Sequence, residues 1–420
     1  MPTINLIKVS QLFFNIFLFS IPIFIIIWGA GIWICFFGII GLYATSLYEK
    51  KNGYLSIIKK YYFVKPYSYI LLIFFAYFVF SLASVIFLNS SPRSIENSII
   101  FLLWLAISPI ILILTPSSKV FGYGCLAAVL IALLITIKQV YFLNIPRPYG
   151  MYGISSTGSG ALKFGDMSVL IGILSFAFLS EGKSKVLGIL GVFLGFVVCL
   201  YTGARGAVFA VLLCIIMWLF FTKDKKLSWR LILSTILGSS FLFFILNKIM
   251  NNYLANRLNH TVTELFLIFN NNLDSSLGVR LQLWKAALIM FGNHPAFGVG
   301  LNNFYSELLL LNNENIVSNI AARHAHAHNE YFCSLATGGI IGTIITFCLF
   351  IVPIVLFKKN YHENVWSRAG FWSTCLISFF ALSDCMFDRR MTVMIFIILI
   401  SICMAGNIAQ KSFKNSQIWK

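Results

Sequence analysis

The sequence predicts an all-α polytopic membrane protein with about twelve transmembrane helices and a helical cap on one face of the bilayer. Hydrophobic residues make up 59% of its 420 residues and charged residues only 10%, too few to cover a water-soluble fold with polar surface. Apolar segments of about 20 residues, enough for a helix to cross a hydrocarbon core of roughly 30 Å, recur along the whole chain. Strands of a membrane barrel would alternate over about ten residues instead, so we expect a helical bundle.

The apolar stretches that reach this length number twelve. In chain order they are residues 11–28, 30–47, 68–88, 96–114, 119–143, 161–180, 186–203, 206–222, 229–248, 331–357, 367–384 and 391–409. Only the Gly-Ala-Gly of residues 29–31 separates the first two, and an even number of spans places both termini on the same side. No small-residue cleavage site follows Lys8 within signal-peptide range, so the first segment is expected to remain as an anchor. The nine cysteines lack paired spacing, which favours apolar packing over disulfides.

The basic residues set the predicted orientation. A formal net charge of +18 could suggest a nucleic-acid partner, but in a membrane protein it is typical of positive-inside topology, and no nucleic acid is expected. Alternate loops place 19 of the 31 basic residues on one face. That face, with both termini, is therefore predicted to be cytoplasmic, and membrane lipids are expected to surround the chain.

The two basic residue types are sorted between the faces. The predicted cytoplasmic face has 17 of the 21 lysines, whereas the opposite face has 8 of the 10 arginines. A planar guanidinium binds phosphate through two parallel hydrogen bonds, while the lysine ammonium suits lipid headgroups. The outer face is therefore predicted to bind an anionic ligand. The alternative is that these arginines snorkel or pair with nearby carboxylates.

The longest segment between spans predicts the cap. It comprises residues 249–330. Spans one to nine precede it in residues 1–248, and spans ten to twelve with a short cytoplasmic tail follow it in residues 331–420. Residues 251–269 and 276–291 carry apolar side chains at helical spacing. The cap is thus expected to contain two amphipathic helices that lie on the bundle.

Two arginines are expected to meet at the junction of cap and bundle. Arg280 lies at the mouth of the second cap helix, and Arg205 lies in the very short turn TGARG, residues 202–206. The apolar stripe of that cap helix, predicted to face lipid or the outer ends of spans, consists of Leu277, Leu281, Trp284 and Leu288. Arg205 and Arg280 are therefore candidate ligands for one anion.

The segment HAHAHN, at the end of the cap, gathers three of the six histidines. Three interpretations compete: a transition-metal site, since residues two apart in a strand share a face; a chance feature of loop composition; and a general base beside the arginine-bound anion. We favour the general base, with His328 first, His326 second and His324 third. Asn329 either holds the ring or a substrate hydroxyl, or caps the tenth span.

Arginines that hold a leaving phosphate and a histidine that activates a hydroxyl fit glycosyl transfer from a polyprenyl diphosphate. The chain has no Asp-x-Asp motif, and Asp384 and Asp388 adjoin Arg389 and Arg390, which favours salt bridges over a Mg²⁺ site. No metal and no cofactor is expected.

Five motifs in order give the chain a family resemblance: TGARG, SLGVR, NHPAFGVGLNNF, AHAHNEYF and LSD, within residues 147–390. Together they resemble the O-antigen ligase and polymerase superfamily, and most of all the O-antigen ligase of Gram-negative bacteria. The resemblance implies a twelve-span, glycosyltransferase-C-like fold in the bacterial inner membrane. It also implies that the active site lies at the periplasmic face.

The resemblance further implies an inverting, metal-independent transfer of O-polysaccharide from undecaprenyl diphosphate to the lipid A-core. Its implied diphosphate ligands are Arg205 and Arg280, and its implied base is His328 or, in the other register of the motif, His326. We add Arg389 as a weaker candidate ligand. The supporting residues are Asn329, Asp384 and Arg147. Two alternatives remain open: an O-antigen polymerase that uses the same donor, and a polysaccharide flippase or transporter.

Overall fold

The fold is helical throughout the part of the chain that the structure describes. A computed structural model describes residues 6–27, 31–49, 68–152, 159–180, 182–221, 244–245, 247–248 and 252–414. Its α-helices are α1 (Leu6–Ile27), α2 (Gly31–Glu49), α3 (Ser68–Phe87), α4 (Arg93–Ile113), α5 (Ser118–Ile137), α6 (Ser159–Leu179), α7 (Lys185–Thr202), α8 (Arg205–Phe221), α9 (Tyr253–Phe269), α10 (Ser276–Asn293), α11 (Phe304–Asn313), α12 (Glu330–Lys358), α13 (Val365–Phe380) and α14 (Arg390–Lys414). The predicted all-α membrane class is confirmed.

The predicted count of twelve spans is not confirmed. Within the described residues, eight helices are long and apolar enough to cross a membrane, and they correspond to α1, α3 to α7, α12 and α14. Two shorter apolar helices, Gly31–Leu42 and Arg205–Met217, lie in α2 and α8. The predicted eleventh span, residues 367–384, is the 16-residue helix α13, which ends at Phe380. The predicted ninth span, residues 229–248, lies almost wholly outside the described residues.

The bundle core is centred on α14, which is apolar all round and buried on nearly every side. It packs against α4 and α13, while α6 lies along α7 with small residues between them. A Cβ on Gly195 would lie only 2.4 Å from the carbonyl oxygen of Ser168, so close helix approach depends on the glycine. The polar segment between α13 and α14 therefore lies on a rigid support.

An aromatic cluster fixes that segment. Phe387 stacks on Phe350 with ring centroids 5.2 Å apart, and it meets Phe101 and Phe396 edge to face at 5.8 and 5.4 Å. Aromatic pairs at these distances and angles add to the stability gained from their burial. Because Phe387 is only three residues from Asp384, the cluster also holds the backbone beside that carboxylate.

The cap, residues 252–329, has its own small core. The face of α10 that is buried carries Val279, Leu283, Ala286, Ala287 and Met290. It packs against α11, a helix that the sequence did not predict, and against a short 3₁₀ turn at Ala321–Arg323. The predicted stripe is offset from this face, since Leu281 and Leu288 are exposed.

The cap is joined to α12 by backbone hydrogen bonds at a break in that helix. Gly339 has φ +58° and ψ −156°, which interrupts α12. The loop after α10 fills the interruption: Val299 N–H donates to the carbonyl of Ala336 at 2.9 Å, and Ile340 N–H donates to the carbonyl of Pro295 at 2.9 Å. The freed backbone groups of α12 thus find partners in the cap.

Glycine is required on both sides of this junction. Gly298 has φ +68°, and a Cβ there would lie 2.4 Å from the backbone carbon of Thr337. A Cβ on Gly339 would lie 2.5 Å from the backbone carbon of Ala296. Two backbones therefore meet in direct contact, which only residues without a side chain allow.

Candidate active site

The histidine segment is held where the amino end of α12 meets the carboxyl end of α13. Asn329 caps α12, because its side-chain oxygen accepts hydrogen bonds from Tyr331 N–H at 2.9 Å and Phe332 N–H at 3.2 Å. Its amide nitrogen donates to the carbonyl of Leu382 at 3.1 Å. The carboxamide is thus used in capping, which is one of its two predicted roles, and it ties the histidines to the loop that carries Asp384.

Asp384 lies at the centre of the site. Its Oδ1 is 3.7 Å from His328 Nδ1 and 4.0 Å from His326 Nε2, and its Oδ2 is 3.9 Å from Lys163 Nζ. Burial by itself raises the pKa of Asp384, but the His328 ring, Lys163 and His326 outweigh it and lower the pKa below its usual range. Asp384 is therefore a buried carboxylate that faces two imidazoles and an ammonium.

The hydrogen bonds of His326 fix its tautomer. Its Nδ1 accepts the backbone N–H of His328 at 3.2 Å, so the proton of the neutral ring is on Nε2, which faces Asp384. Burial, followed by the charge of a protonated His328, lowers the pKa of His326 to about 3. His326 is thus neutral at physiological pH, with no free lone pair toward the centre of the site.

His328 lies between an acid and a second histidine. Its Nε2 is 3.0 Å from Nδ1 of His324, and its ring meets that of His324 edge to face with centroids 4.9 Å apart. Since Asp384 is ionised, the network assigns the Nδ1 proton of His328 to the side of the carboxylate and leaves Nε2 as the acceptor. The backbone of His328 has φ +50°, an uncommon conformation that is often found at functional sites.

The side chains of His326, His328 and Asp384 do not fit a metal ion. His326, His328 and Asp384 place potential ligand atoms within 4.8 Å of one another. If Nε2 of His326 bound a metal, Nδ1 would carry the ring proton and donate it to a partner. Nδ1 instead accepts a hydrogen bond from the backbone N–H of His328. The three-histidine alternative also fits poorly, because His324 and His328 hydrogen-bond to each other. The geometry favours proton chemistry over metal binding.

Arg205 and Arg280 differ in their partners. Arg205 Nη1 donates to Glu264 Oε2 at 2.7 Å and to Thr261 Oγ1 at 2.9 Å, both on α9. The guanidinium of Arg280, near the start of α10, forms no hydrogen bond with any other described residue, and burial lowers its pKa. One guanidinium is therefore held by a buried carboxylate, and the other is available to an anion.

Arg147 belongs to the surroundings of Arg205. Its Nε donates to the carbonyl of Thr202 at 3.1 Å, and Arg257 Nη2 donates to the carbonyl of Gly203 at 3.4 Å. Burial, followed by the charge of Arg257, lowers the pKa of Arg147. We define Arg147, Arg205 and Arg257 as the arginine cluster. Two of its guanidinium groups donate hydrogen bonds to the backbone of the TGARG turn, and the third belongs to the turn itself.

Arg389 lies on another side of the histidines. It lines a cavity of about 800 Å³ together with His326 and Glu330, whereas Arg205 and Arg280 do not line it. No ion pair within residues 384–390 is seen in the part of the chain that the structure describes, although the charge of Arg389 acts on Asp388. Asp384 lies instead beside Lys163 of α6, and Arg390 pairs with Glu96 of α4.

Two charged residues of the site were missed in the sequence. Lys163 and Asp166 are buried on α6, where Lys163 Nζ has no hydrogen-bond partner. Ionisable side chains inside an apolar span are costly and usually face a functional interior, and a spacing of three places both on one face of the helix. That signal was present in the segment GALKFGDM.

Comparison with known proteins gives two matches. Residues 190–347 match a protein family described as O-antigen ligase, a range that contains Arg205, Arg280 and all three clustered histidines. A Haemophilus influenzae protein described as uncharacterized is 25% identical over 298 residues, which cover 69% of this chain and 73% of the relative. The family match supports an O-antigen ligase or polymerase type of function and a glycosyltransferase-like activity.

Proposed function

We propose, from the premise that this chain is a member of the O-antigen ligase family, that it transfers O-polysaccharide from undecaprenyl diphosphate to a sugar hydroxyl of lipid A-core. The transfer is inverting and metal-independent, and it takes place at the periplasmic face of the bacterial inner membrane. One observation carries the proposal: the buried Asp384 carboxylate faces His328, and Lys163 and Arg280 both act electrostatically on that carboxylate.

His328 is the general base. A neutral imidazole takes a proton from a hydroxyl as that hydroxyl attacks, and the nearby carboxylate stabilises the imidazolium that forms. Asp384 Oδ1, 3.7 Å from His328 Nδ1, is placed for that second task. His326 is the weaker candidate, since its Nε2 carries the proton and its Nδ1 lone pair is held by a backbone N–H, which cannot pass on a proton, whereas Nε2 of His328 meets another imidazole.

Arg280 and Arg205 hold the diphosphate. As the bond from sugar C1 to the phosphate oxygen breaks, negative charge grows on the leaving group, and pre-positioned guanidinium groups stabilise it. Arg280 has no competing hydrogen bond among the described residues, whereas Arg205 exchanges Glu264 for phosphate. Arg147 supports Arg205 through the carbonyl of Thr202. Arg389, in the cavity beside His326, contacts a diphosphate only if the lipid enters from that side.

The test is transfer in detergent with purified protein, a lipid-diphosphate-linked O-polysaccharide and lipid A-core. We expect lipid A-core to gain the glycan, His328→Ala to lose activity by about 10²-fold or more, and His294→Ala, which removes an exposed histidine of the cap, to retain it. EDTA should leave the rate unchanged. Near wild-type transfer by H328A would show that the base is wrong.

The products separate the alternatives. A polymerase would lengthen the lipid-linked chain and leave lipid A-core unmodified. A flippase or transporter would catalyse no transfer in detergent, because no compartments are present.

A further inference from the structure

We propose that His324 is a further catalytic residue, the outer member of a proton relay that connects the acceptor hydroxyl to His328. This inference rests on the proposed function. In the relay, His324 Nε2 takes the proton of the hydroxyl, while His324 Nδ1 passes its own proton to His328 Nε2. Asp384 stabilises the charge at the buried end.

The contact between the two rings carries the proposal. His324 Nδ1 and His328 Nε2 are 3.0 Å apart, which is the length of a hydrogen bond between ring nitrogens. The other nitrogen of His328 is buried and faces Asp384 Oδ1 at 3.7 Å. While the contact stands, neither nitrogen of His328 is open to a substrate.

His324 supplies the missing access. Its ring is half-buried, whereas His326 is buried, and Nε2 of His324 forms no hydrogen bond with the part of the chain that the structure describes. With Nδ1 as the donor to His328, the neutral ring of His324 carries its lone pair on Nε2. In the series from Asp384 to His328 to His324, Nε2 of His324 is therefore the nitrogen that remains free for a substrate hydroxyl.

The surroundings favour a neutral His324 before reaction. Burial, followed by the charges of a protonated His328 and of Arg280, lowers the pKa of His324. The charge of Arg280 therefore acts on this ring, and its guanidinium forms no hydrogen bond with another described residue. The proposed anion ligand and the outer end of the relay are thus linked electrostatically.

The acceptor O–H bond breaks and its proton binds His324 Nε2, while the Nδ1–H of His324 moves to His328 Nε2, which becomes an imidazolium. The acceptor oxygen forms its bond to sugar C1, and the electron pair of the C1–O bond goes to the departing diphosphate. Afterwards the His328 proton returns to His324 Nδ1, and the Nε2 proton leaves to water.

The test compares two variants in single-turnover assays with the lipid-linked donor and lipid A-core. His324→Ala removes the ring, and His324→Gln keeps an N–H that can donate to His328 Nε2 but cannot relay a proton. We expect both to lower the rate about 10²-fold with the KM for donor unchanged. His294→Ala is the matched control and should match wild type.

A second readout needs no variant. A relay moves two protons in one step, so the wild-type rate should depend on the deuterium fraction of the solvent along a curve and not a straight line. A linear dependence overturns the proposal. A rate of H324A or H324Q within about threefold of wild type also overturns the proposal. An increased rate in H324A overturns it as well, because it would mean that the His324 ring only covers His328.

The outcomes separate the relay from the function. If wild type transfers glycan and H328A does not, while both His324 variants keep their rate, only the relay fails. If wild type transfers no glycan from the lipid-linked donor, the proposed function fails.

Discussion

Replacing Asp384 by Asn tests the buried carboxylate directly. Asn has nearly the same shape but no charge, so the change removes the electrostatic support for His328 together with the counter-charge of Lys163. At 3.7 Å and an effective dielectric constant of about 20, the attraction between the carboxylate and an imidazolium is about 4.5 kcal/mol. A loss of that size corresponds to about 10³-fold in rate.

The expected fall is somewhat smaller. Lys163, whose Nζ is 3.9 Å from Asp384 Oδ2, already neutralises part of the carboxylate. We therefore expect D384N to slow single-turnover transfer by about 10²- to 10³-fold. The matched control is Asp274→Asn, which removes an exposed carboxylate from the loop before α10 and should leave the rate unchanged.

A double variant sharpens the test. If Asp384 acts through His328, the variant D384N/H328A should be no slower than H328A alone, because the two groups work as one unit. Additive losses, or a D384N rate within about threefold of wild type, would refute the reasoning.

Further predictions concern the arginine, the neighbouring histidine and the cap junction. Glu264→Gln should lower the KM for donor by up to about tenfold, because it frees Arg205 from its carboxylate partner. Arg205→Ala should lower kcat about 10²-fold. Steady-state kinetics would measure both effects, and a raised KM in E264Q would contradict this role of Arg205. His326 has a pKa of about 3 in the folded chain against an ordinary 6.5, so the unfolded chain binds one more proton between these values. The free energy of unfolding should therefore fall as pH drops below 6.5, by about 1.4 kcal/mol per pH unit. Thermal unfolding at pH 7 and pH 5 should show this dependence in wild type and not in H326Q. An equal change with pH in the two proteins would contradict the lowered pKa of His326. Gly298→Ala should destabilise the protein by more than about 1 kcal/mol in the same assay, while Gly292→Ala, where a Cβ meets nothing within 4 Å, should not; equal midpoints would contradict the close backbone contact.

Much of the fold could be predicted because span length and helical periodicity are local properties. The described spans lie within a few residues of the predicted segments, and α9 and α10 begin and end close to the predicted amphipathic helices. The helix α11 was missed because its ten residues lie in a loop, with glycines and asparagines before them and further asparagines after them. The stripe of α10 predicted to face lipid or the outer ends of spans stays a prediction, while the face that is buried in the cap core lies beside it and depends on tertiary packing.

The candidate site was partly predictable for a different reason. The clustered histidines and the sorting of arginines are visible in the sequence, but pairings between distant residues are not. Arg205 and Glu264 are 59 residues apart, and Lys163 meets Asp384 from another helix. The partners of Asp384 and Arg390 could not be predicted, because they come from α6 and α4 and not from the neighbouring residues in the sequence. The contact of His324 with His328 depends on a left-handed residue that no local pattern indicated.

The broken helix α12 has a consequence for biogenesis. Its interruption at Gly339 is roughly 14 Å from the start of the helix, a depth at which unpaired amides are costly in lipid. The partners of those amides come from the cap loop that precedes α12 in the chain. Assembly of α12 is therefore completed only when the cap docks on it, and a chain whose cap has not folded holds a membrane segment with unpaired backbone groups.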